Sequence, residues 1–320
     1  MAQTTTNTSA FIEAEQFSTL ILTNLQDGFL PSVFFRNVSD FGSGTTLFIK
    51  NIGSAQIQDV EEDVPLVYNA IDTGTVTLTI TDYIGDAWFV TDVLRQDGAQ
   101  IEALMAARSV EAARAIQEFT ETRFLTTAEA AQVADAANLV NGFSHRVLAS
   151  GANEQLTEAD LIDMALAFDK ANVPQAGRIA IVDPIVAATF NKLTTSTVSL
   201  DRSPLFAQVF ESGFAQEHQF IANIYGWNIM TSNRLPDIAA GTGIDGTDSV
   251  TLAGKANLFM SVLDDNTRPV MFAERQAPKV EGERNKDRQR DEFLTTARFG
   301  FGAQRVDTLG VIVTDAVATA

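Results

Sequence analysis

The sequence has no cysteine, two histidines, two tryptophans, three tyrosines and eight prolines in 320 residues. Without a thiol there is no disulfide framework and no cysteine nucleophile, and the composition fits a reducing compartment. His145 and His218 have no Cys or further His to complete the usual transition-metal ligand sets, so both read as surface or loop residues. Basic residues are also short: 22 Lys and Arg face 41 Asp and Glu, a net charge of −19. That balance has the wrong sign for a protein that grips nucleic acid through phosphates. No apolar run approaches the roughly 20 residues a membrane helix needs. Met1 to Ala10 is rich in Thr, Ser and Asn and carries no cation, which does not fit a signal peptide.

What is present begins with phenylalanine, at 22 residues. Phe buries apolar area with no polar handle, which points to large cores or dry contacts between subunits. The stretch from Asp92 to Phe124 organises the rest. From Gln100 onward it lacks Gly and Pro, and Ile101, Leu104, Met105, Ala112, Ala115, Ile116 and Phe119 recur at helical spacing. Twenty-five helical residues would make a rod of roughly 37 Å, long for a globular helix. The rod reads as a core helix or as a spine along one edge of an elongated subunit.

Around it the chain changes character several times. Residues 1–10 read as a tail, and Phe11 to Leu25 as a helix with Phe17, Leu20, Ile21 and Leu25 on one face. Residues 32–90 carry short β-rich runs: Val33–Phe35, Thr46–Ile49, Ala55–Gln58 and Val76–Ile80. They read as a long two-stranded hairpin whose tip, Asp59-Val60-Glu61-Glu62-Asp63, is acidic. Such ribbons are marginal in water, so a long one needs something to lie on. After the spine, Thr127 to Leu139 reads as a separate Ala-rich helix and Gly142 to Gly151 as loop. Thr157 with Asp160 marks a helix start. Ile179–Val182 is a short apolar strand, and Asp183 with Pro184 opens another helix, running to about Leu193. Thr194 to Ser203 reads as a polar loop. Phe220–Thr231, Asn257–Leu263, Val270–Phe272, Phe293–Phe301 and Val306–Val313 read as strands. Ile238 to Lys255 reads as an exposed loop.

No catalytic constellation emerges. Gly241 to Gly246 spells G-x-G-x-x-G, but Pro236 precedes it and Val250-Thr251-Leu252 follows, so the strand and helix that would hold a pyrophosphate are missing. No Gly-x-Ser-x-Gly elbow is present. Asp245, Asp248, Asp264 and Asp265 lack EF-hand spacing. No cofactor and no metal are expected. Glu281 to Glu292 alternates signs densely. It reads as a solvated face or as an ion-pair network between subunits, with Arg275, Arg284, Arg288 and Arg290 as donors, because Arg grips carboxylates through two hydrogen bonds.

Three phrases in this order have a familiar ring. Asp82-Tyr83-Ile84-Gly85-Asp86 leads through Val90-Thr91-Asp92 into the spine. Asn172-Val173-Pro174, Gly177-Arg178 and Val182-Asp183-Pro184 follow. Gly226-Trp227 then runs to Thr231-Ser232-Asn233-Arg234-Leu235-Pro236. Over nearly the whole chain the set resembles the major capsid proteins of tailed bacteriophages with the HK97-type fold. The resemblance implies an α+β fold: an N-terminal arm over 1–35, an extended hairpin loop over 36–85, and a peripheral domain with the spine over 86–150. An axial domain would span 151–270, with Ile238 to Lys255 near a capsomer centre, and return strands of the peripheral domain together with the C-terminus would span 271–320.

It further implies a structural protein, not an enzyme, which forms pentamers and hexamers. These would close an icosahedral shell around double-stranded DNA without sequence-specific binding, assembled in the host cytoplasm. Asp59, Glu61, Glu62, Asp63, Arg275, Arg284, Arg288 and Arg290 are the candidate intersubunit contacts. A portal protein at one vertex and a decoration protein are implied partners. The arm is reached within about 35 residues of Met1, which points to a separate scaffolding protein. The hairpin tip has no Lys, so no covalent cross-link to a neighbour is expected. Two other readings stay open: an encapsulin-type cellular compartment, and an acidic secreted hydrolase or adhesin.

Overall fold

The computed structural model describes residues 30–315, apart from 31, 39–43, 54–56, 61, 64, 66–67, 69, 72, 98–100, 133–137, 190–219 and 245–247. The helix expected over Phe11–Leu25 and the loop over Thr194–Ser203 lie outside the described residues. In chain order the elements are β1 (Arg36–Asn37), β2 (Thr46–Ile52), β3 (Thr73–Thr79), β4 (Asp82–Thr91), α1 (Asp92–Asp97), α2 (Ile101–Ala131), β5 (Leu139–Val140), β6 (Phe143–Ser144) and β7 (Arg146–Leu148). Then come α3 (Glu158–Lys170), β8 (Arg178–Val182), α4 (184–189), β9 (Phe220–Ile224), β10 (Trp227–Thr231), β11 (Asp237–Ile238), β12 (Gly254–Ser261), β13 (Val270–Asn285), β14 (Arg290–Ala303) and β15 (Leu309–Asp315).

The centre is a seven-stranded mixed sheet in the order β7-β15-β12-β8-β10-β9, with β11 on β12. All five residues of β8 are buried, as an apolar strand covered on both faces must be. Its alternate side chains divide between two cores. Ile179 and Ile181 face the last turns of α2, at Phe124, Leu125 and Ala128. Ala180 and Val182 face α3, at Leu161, Met164 and Phe168. The second core centres on Trp227, whose ring meets Phe168 and Phe259 edge-on at 5.0 Å each. β9 and β10 close through Tyr225 and Gly226 at φ 50° and 84°, the left-handed pair that a two-residue hairpin demands.

Local start signals work as read. Thr157 and Asp160 form a reciprocal capping box on α3. Asp183 accepts from Ile185 N–H at 2.9 Å and opens α4.

A second, four-stranded sheet runs β1-β13-β14-β4. Alternation along β14 gives its two faces different work. Ala297, Phe299 and Phe301 face α2 at Ile116. Gly300 and Gly302 face the other way, where the β2–β3 ribbon crosses the sheet. A Cβ on Gly300 would stand 2.5 Å from Thr79 O, so only Gly permits this approach. Leu78 and Ile80 pack there on Met271 and Ala273.

Several expectations need correction. The spine does not end near Phe124; α2 continues unbroken to Ala131, and α1 precedes it as a short separate helix. Residues 142–151 are not simple loop, because β5 pairs with β6 and β7 runs parallel to β15. Segment 238–255 is not simply exposed, since Ile238, Ile244 and Val250 are buried in the first core. Ile57 and Gln58 are not in a strand. Within 271–320, β13 and β14 lie in the four-stranded sheet, labelled peripheral here, while β15 lies between β7 and β12 in the central one. His145 is no surface residue: it is buried, stacked on Phe168, with Nδ1 3.1 Å from Leu309 O. His218 lies outside the described residues.

Candidate assembly interface

The β2–β3 ribbon has one satisfied face and one bare face. Leu47 pairs with Leu78 and Ile49 with Val76, and these four point toward the peripheral sheet. Phe48 and Ile52 point away, 65% and 78% exposed. Beyond the ribbon, Ile57 and Tyr68 are 97% and 98% exposed. Side chains this apolar and this open mark a surface meant to be covered. At the tip Asp59, Glu62 and Asp63 are exposed, and Asp63 turns the chain at φ 63°. Glu61 lies outside the described residues.

The spine is also two-sided in behaviour, but along its length. From Ala112 onward a row of side chains (Ala112, Ile116, Glu121, Phe124, Leu125, Ala128) is buried. Before that, Leu104 and Val110 are exposed, and after it begins Phe119 of the expected stripe remains partly open. Ion pairs fasten this outer part instead. Arg108 grips both carboxylate oxygens of Asp86 at 2.7 Å there, and in the seated part Arg123 adds a pair with Asp82 at 3.0 Å.

The mixed-sign stretch 281–292 is the outer end of the β13–β14 hairpin, closed by a turn at Gln289 with φ 49°. Arg284 holds Asp92 through two hydrogen bonds at 2.5 and 2.6 Å and reaches Asp291 at 3.2 Å. Arg95 takes the other oxygen of Asp291 at 2.6 Å. The Arg284 hydrogen bonds hold the Asp92 carboxyl below the usual carboxylate range. Arg290 bonds Glu292 at 2.6 Å, which lowers the Glu292 pKa, and lies 4.2 Å from the Phe89 ring centroid. Arg284 and Arg290 therefore have carboxylate partners within their own subunit. Arg275 and Arg288 are exposed. The expected acidic and basic groups sit on two separate projections, the ribbon tip and this hairpin. Sequence reasoning missed Asp82, Asp86, Asp92, Arg95, Arg108 and Arg123, whose pairing depends on how helix and sheet are laid together.

A buried carboxylate joins the spine to the central region. Glu121 accepts from Ser232 Oγ at 2.9 Å and from Leu30 N–H at 3.2 Å, with Arg234 at 3.5 Å. Arg234 also approaches Glu118, which Arg114 binds at 2.9 Å. The Ser232–Pro236 phrase thus serves as the seat of the spine. Elsewhere, the Gly241 turn is closed by its own N–H on Val250 O at 2.8 Å, with no helix following it among the described residues. Among the described residues no three His, Cys, Asp or Glu converge on a metal-sized site.

A subunit with a saturated central core, a long helix half seated, and an apolar ribbon left bare is of the self-assembling structural class. The family profile described as phage capsid protein matches residues 73–314, well over half of the chain, and the chain belongs to that family. The fold agrees. The capsid of cyanophage P-SCSP1u superposes with a TM-score of 0.67 at 18% identity, covering 95% of this chain and 93% of that one. The mature capsid of bacteriophage PhiM1 gives 0.69 at 16% identity, over 96% and 93%. A mycobacterium phage Che8 chain gives 0.63 at 19% identity, over 94% and 97%. No curated protein matches the chain. The fold is the HK97-type capsid fold, and the protein is a bacteriophage coat protein.

Proposed function

We propose that this chain is the major shell subunit, forming pentamers and hexamers that close an icosahedral particle around double-stranded DNA. The observation that carries this is the bare ribbon, with Phe48, Ile52, Ile57 and Tyr68 open to water in a single subunit. Lying on a neighbour buries them, at about 1.5–3 kcal/mol for each fully covered large apolar side chain. The acidic tip, Asp59 to Asp63, then approaches cations of the next subunit, with Arg275, Arg284, Arg288 and Arg290 as the candidate donors. The role is structural, without catalysis. A scaffolding protein during assembly, a portal at one vertex and a decoration protein outside are the partners such a shell takes.

The charge of −19 supports a lumen that does not hold DNA by its phosphates, so that DNA can enter and leave. The shell is held without covalent links.

Electron microscopy of the purified chain, alone and with a scaffolding protein, tests the reading. Closed shells or rings of five and six are expected; a monomer under every condition overturns it. Particles from infected cells that never contain DNA would instead favour a cellular compartment. Dissociated particles run as one monomer band on a denaturing gel, and a ladder of higher mass would refute the absence of cross-links.

A further inference from the structure

The two strands of the ribbon, β2 and β3, hold a single charged side chain, Lys50. On the bare face Phe48, Lys50 and Ile52 stand opposite Thr77, Thr75 and Thr73, and all three are exposed. Lys50 has no carboxylate partner among the described residues, in a chain of net charge −19. The peripheral sheet carries the reverse arrangement. Its side away from the spine is covered by the subunit's own ribbon near Gly300 and Gly302 and is open at the outer end of the β13–β14 hairpin. There Phe89 lies opposite Glu292, and Glu292 opposite Glu283; one row along, Ala87 lies opposite Leu294, and Leu294 opposite Glu281. These six side chains and Arg290 line a half-open hollow of about 340 Å³. Like charges directly opposite on neighbouring strands repel. Arg290 and Asn285 hold Glu292, and Lys279 holds Glu281 at 2.6 Å. Glu283 is exposed and has no cation of its own among the described residues.

We infer that Lys50 and Glu283 fix the register of the ribbon on its neighbour. The Lys50 ammonium enters the hollow of a second copy and relieves the repulsion between Glu283 and Glu292, while Phe48 and Ile52 flank it and cover Phe89, Ala87 and Leu294. The occupant is another copy of this chain because the ribbon supplies the opposite sign and the apolar area that this face leaves open. Donor and acceptor lie on different surfaces of one subunit, so the contact is head-to-tail, the kind that closes into rings. Sliding the ribbon by two residues would set Phe48 or Ile52 on Glu283 and bury the carboxylate without a partner, which is costly. The inference rests on the shell reading for the ribbon lying on a neighbour; it adds which surface receives the ribbon and which pair sets its position.

A charge swap in the full chain tests it. Lys50 and Glu283 are both exposed in the single subunit, so neither substitution should disturb its folding. Lys50→Glu alone and Glu283→Lys alone should each cut the yield of rings and closed particles by about tenfold, and the two combined should restore it to within about threefold of the parent. Glu283→Lys should at the same time raise the thermal midpoint of the unassembled subunit, because it replaces the like-charge pair with Glu292 by an opposite one. A merely structural role would not lose assembly while gaining stability. Because the chain has no cysteine, a thiol pair reports the contact directly. Lys50→Cys with Glu283→Cys should link between chains under mild oxidation, and Lys50→Cys with Asn266→Cys, on an exposed turn, should not. Undiminished assembly of both single variants, a combined variant no better than either, or no link at the first thiol pair overturns the inference and leaves the shell reading standing. A parent chain that forms no particles overturns the shell reading and this inference with it.

Discussion

The central sheet and the ribbon are built from the same kinds of residue and meet opposite fates. In β8, Ile179 to Val182 is buried on both faces, and in β12 Leu258, Phe259 and Met260 are sealed completely. In the ribbon and its tip, Phe48, Ile52, Ile57 and Tyr68 are as apolar and nearly bare. Composition does not separate the two regions; the number of layers packed against each strand does. The central sheet has α2 on one face and α3 on the other, whereas, among the described residues, the ribbon has one sheet beneath its base and nothing over the rest. Apolar area that one subunit leaves exposed is available to hold several subunits together.

The largest expected contrast comes from truncating apolar side chains in each region. Ile57→Ser with Tyr68→Ser should leave thermal unfolding of the isolated subunit within about 0.5 kcal/mol of the parent, as exposed sites do. The same variant should abolish particles by electron microscopy. Particles at normal yield would mean that the ribbon surface is not an interface. Ile181→Ala should do the reverse, costing the subunit about 2–5 kcal/mol in denaturant melts through the cavity left between α2 and β8. Gly300→Ala sits at the boundary between the regions. Its Cβ would press on Thr79 O, so the ribbon base must lift, at about 1–3 kcal/mol. Faster protease cleavage in β2–β3 should accompany the loss; an unchanged digestion pattern would show that the ribbon does not depend on that crossing.

A smaller effect concerns pH. Burial pushes the His145 pKa below its ordinary value near 6.5, so the folded protein keeps the ring neutral. The unfolded chain takes up the proton first as pH falls below about 6.5. Stability is therefore complete above that pH and declines as pH drops toward the folded-state value. His145→Phe should flatten this part of the stability profile between pH 7 and 5, measured by denaturant melts; an unaltered slope would locate the effect elsewhere. The smallest effect is expected from Arg284→Gln. Its pair with Asp92 is exposed, so the melt should shift only slightly, and less as salt is raised. A large, salt-independent loss would show that the outer hairpin is a core element after all.

The local elements were legible in the sequence because their causes are local. The box at Thr157 and Asp160, the Asp183-Pro184 start and the apolar run of β8 all rest on signals within a few residues. The spine was legible in kind but not in length. Thr126 and Thr127 beside Ala128-Glu129 look like a fresh helix start. In the fold, the Thr122 and Thr126 hydroxyls each bond the carbonyl four residues back, at 2.9 and 2.8 Å, and the helix runs on. The loop 238–255 reads as exposed because Gly, Thr and Asp dominate its composition, while Ile238, Ile244 and Val250 send it back to the core. The acidic tip and the four arginines are candidates that residue type alone singles out. That Arg284 and Arg290 already have partners is not legible in this way, because Asp92 lies nearly two hundred positions away from Arg284.

The sequence by itself determined the periodic elements, their start signals, the acidic balance and, through the order of its phrases, the family. Those depend on spacing along the chain and on composition. Only the tertiary structure decided that β15 joins the central sheet, that Glu121 gathers Leu30, Ser232 and Arg234, and which apolar residues stay bare. Burial is a property of what is packed on top of a side chain, and strand partners and ion pairs are set by how layers meet. No periodicity within one segment carries that information.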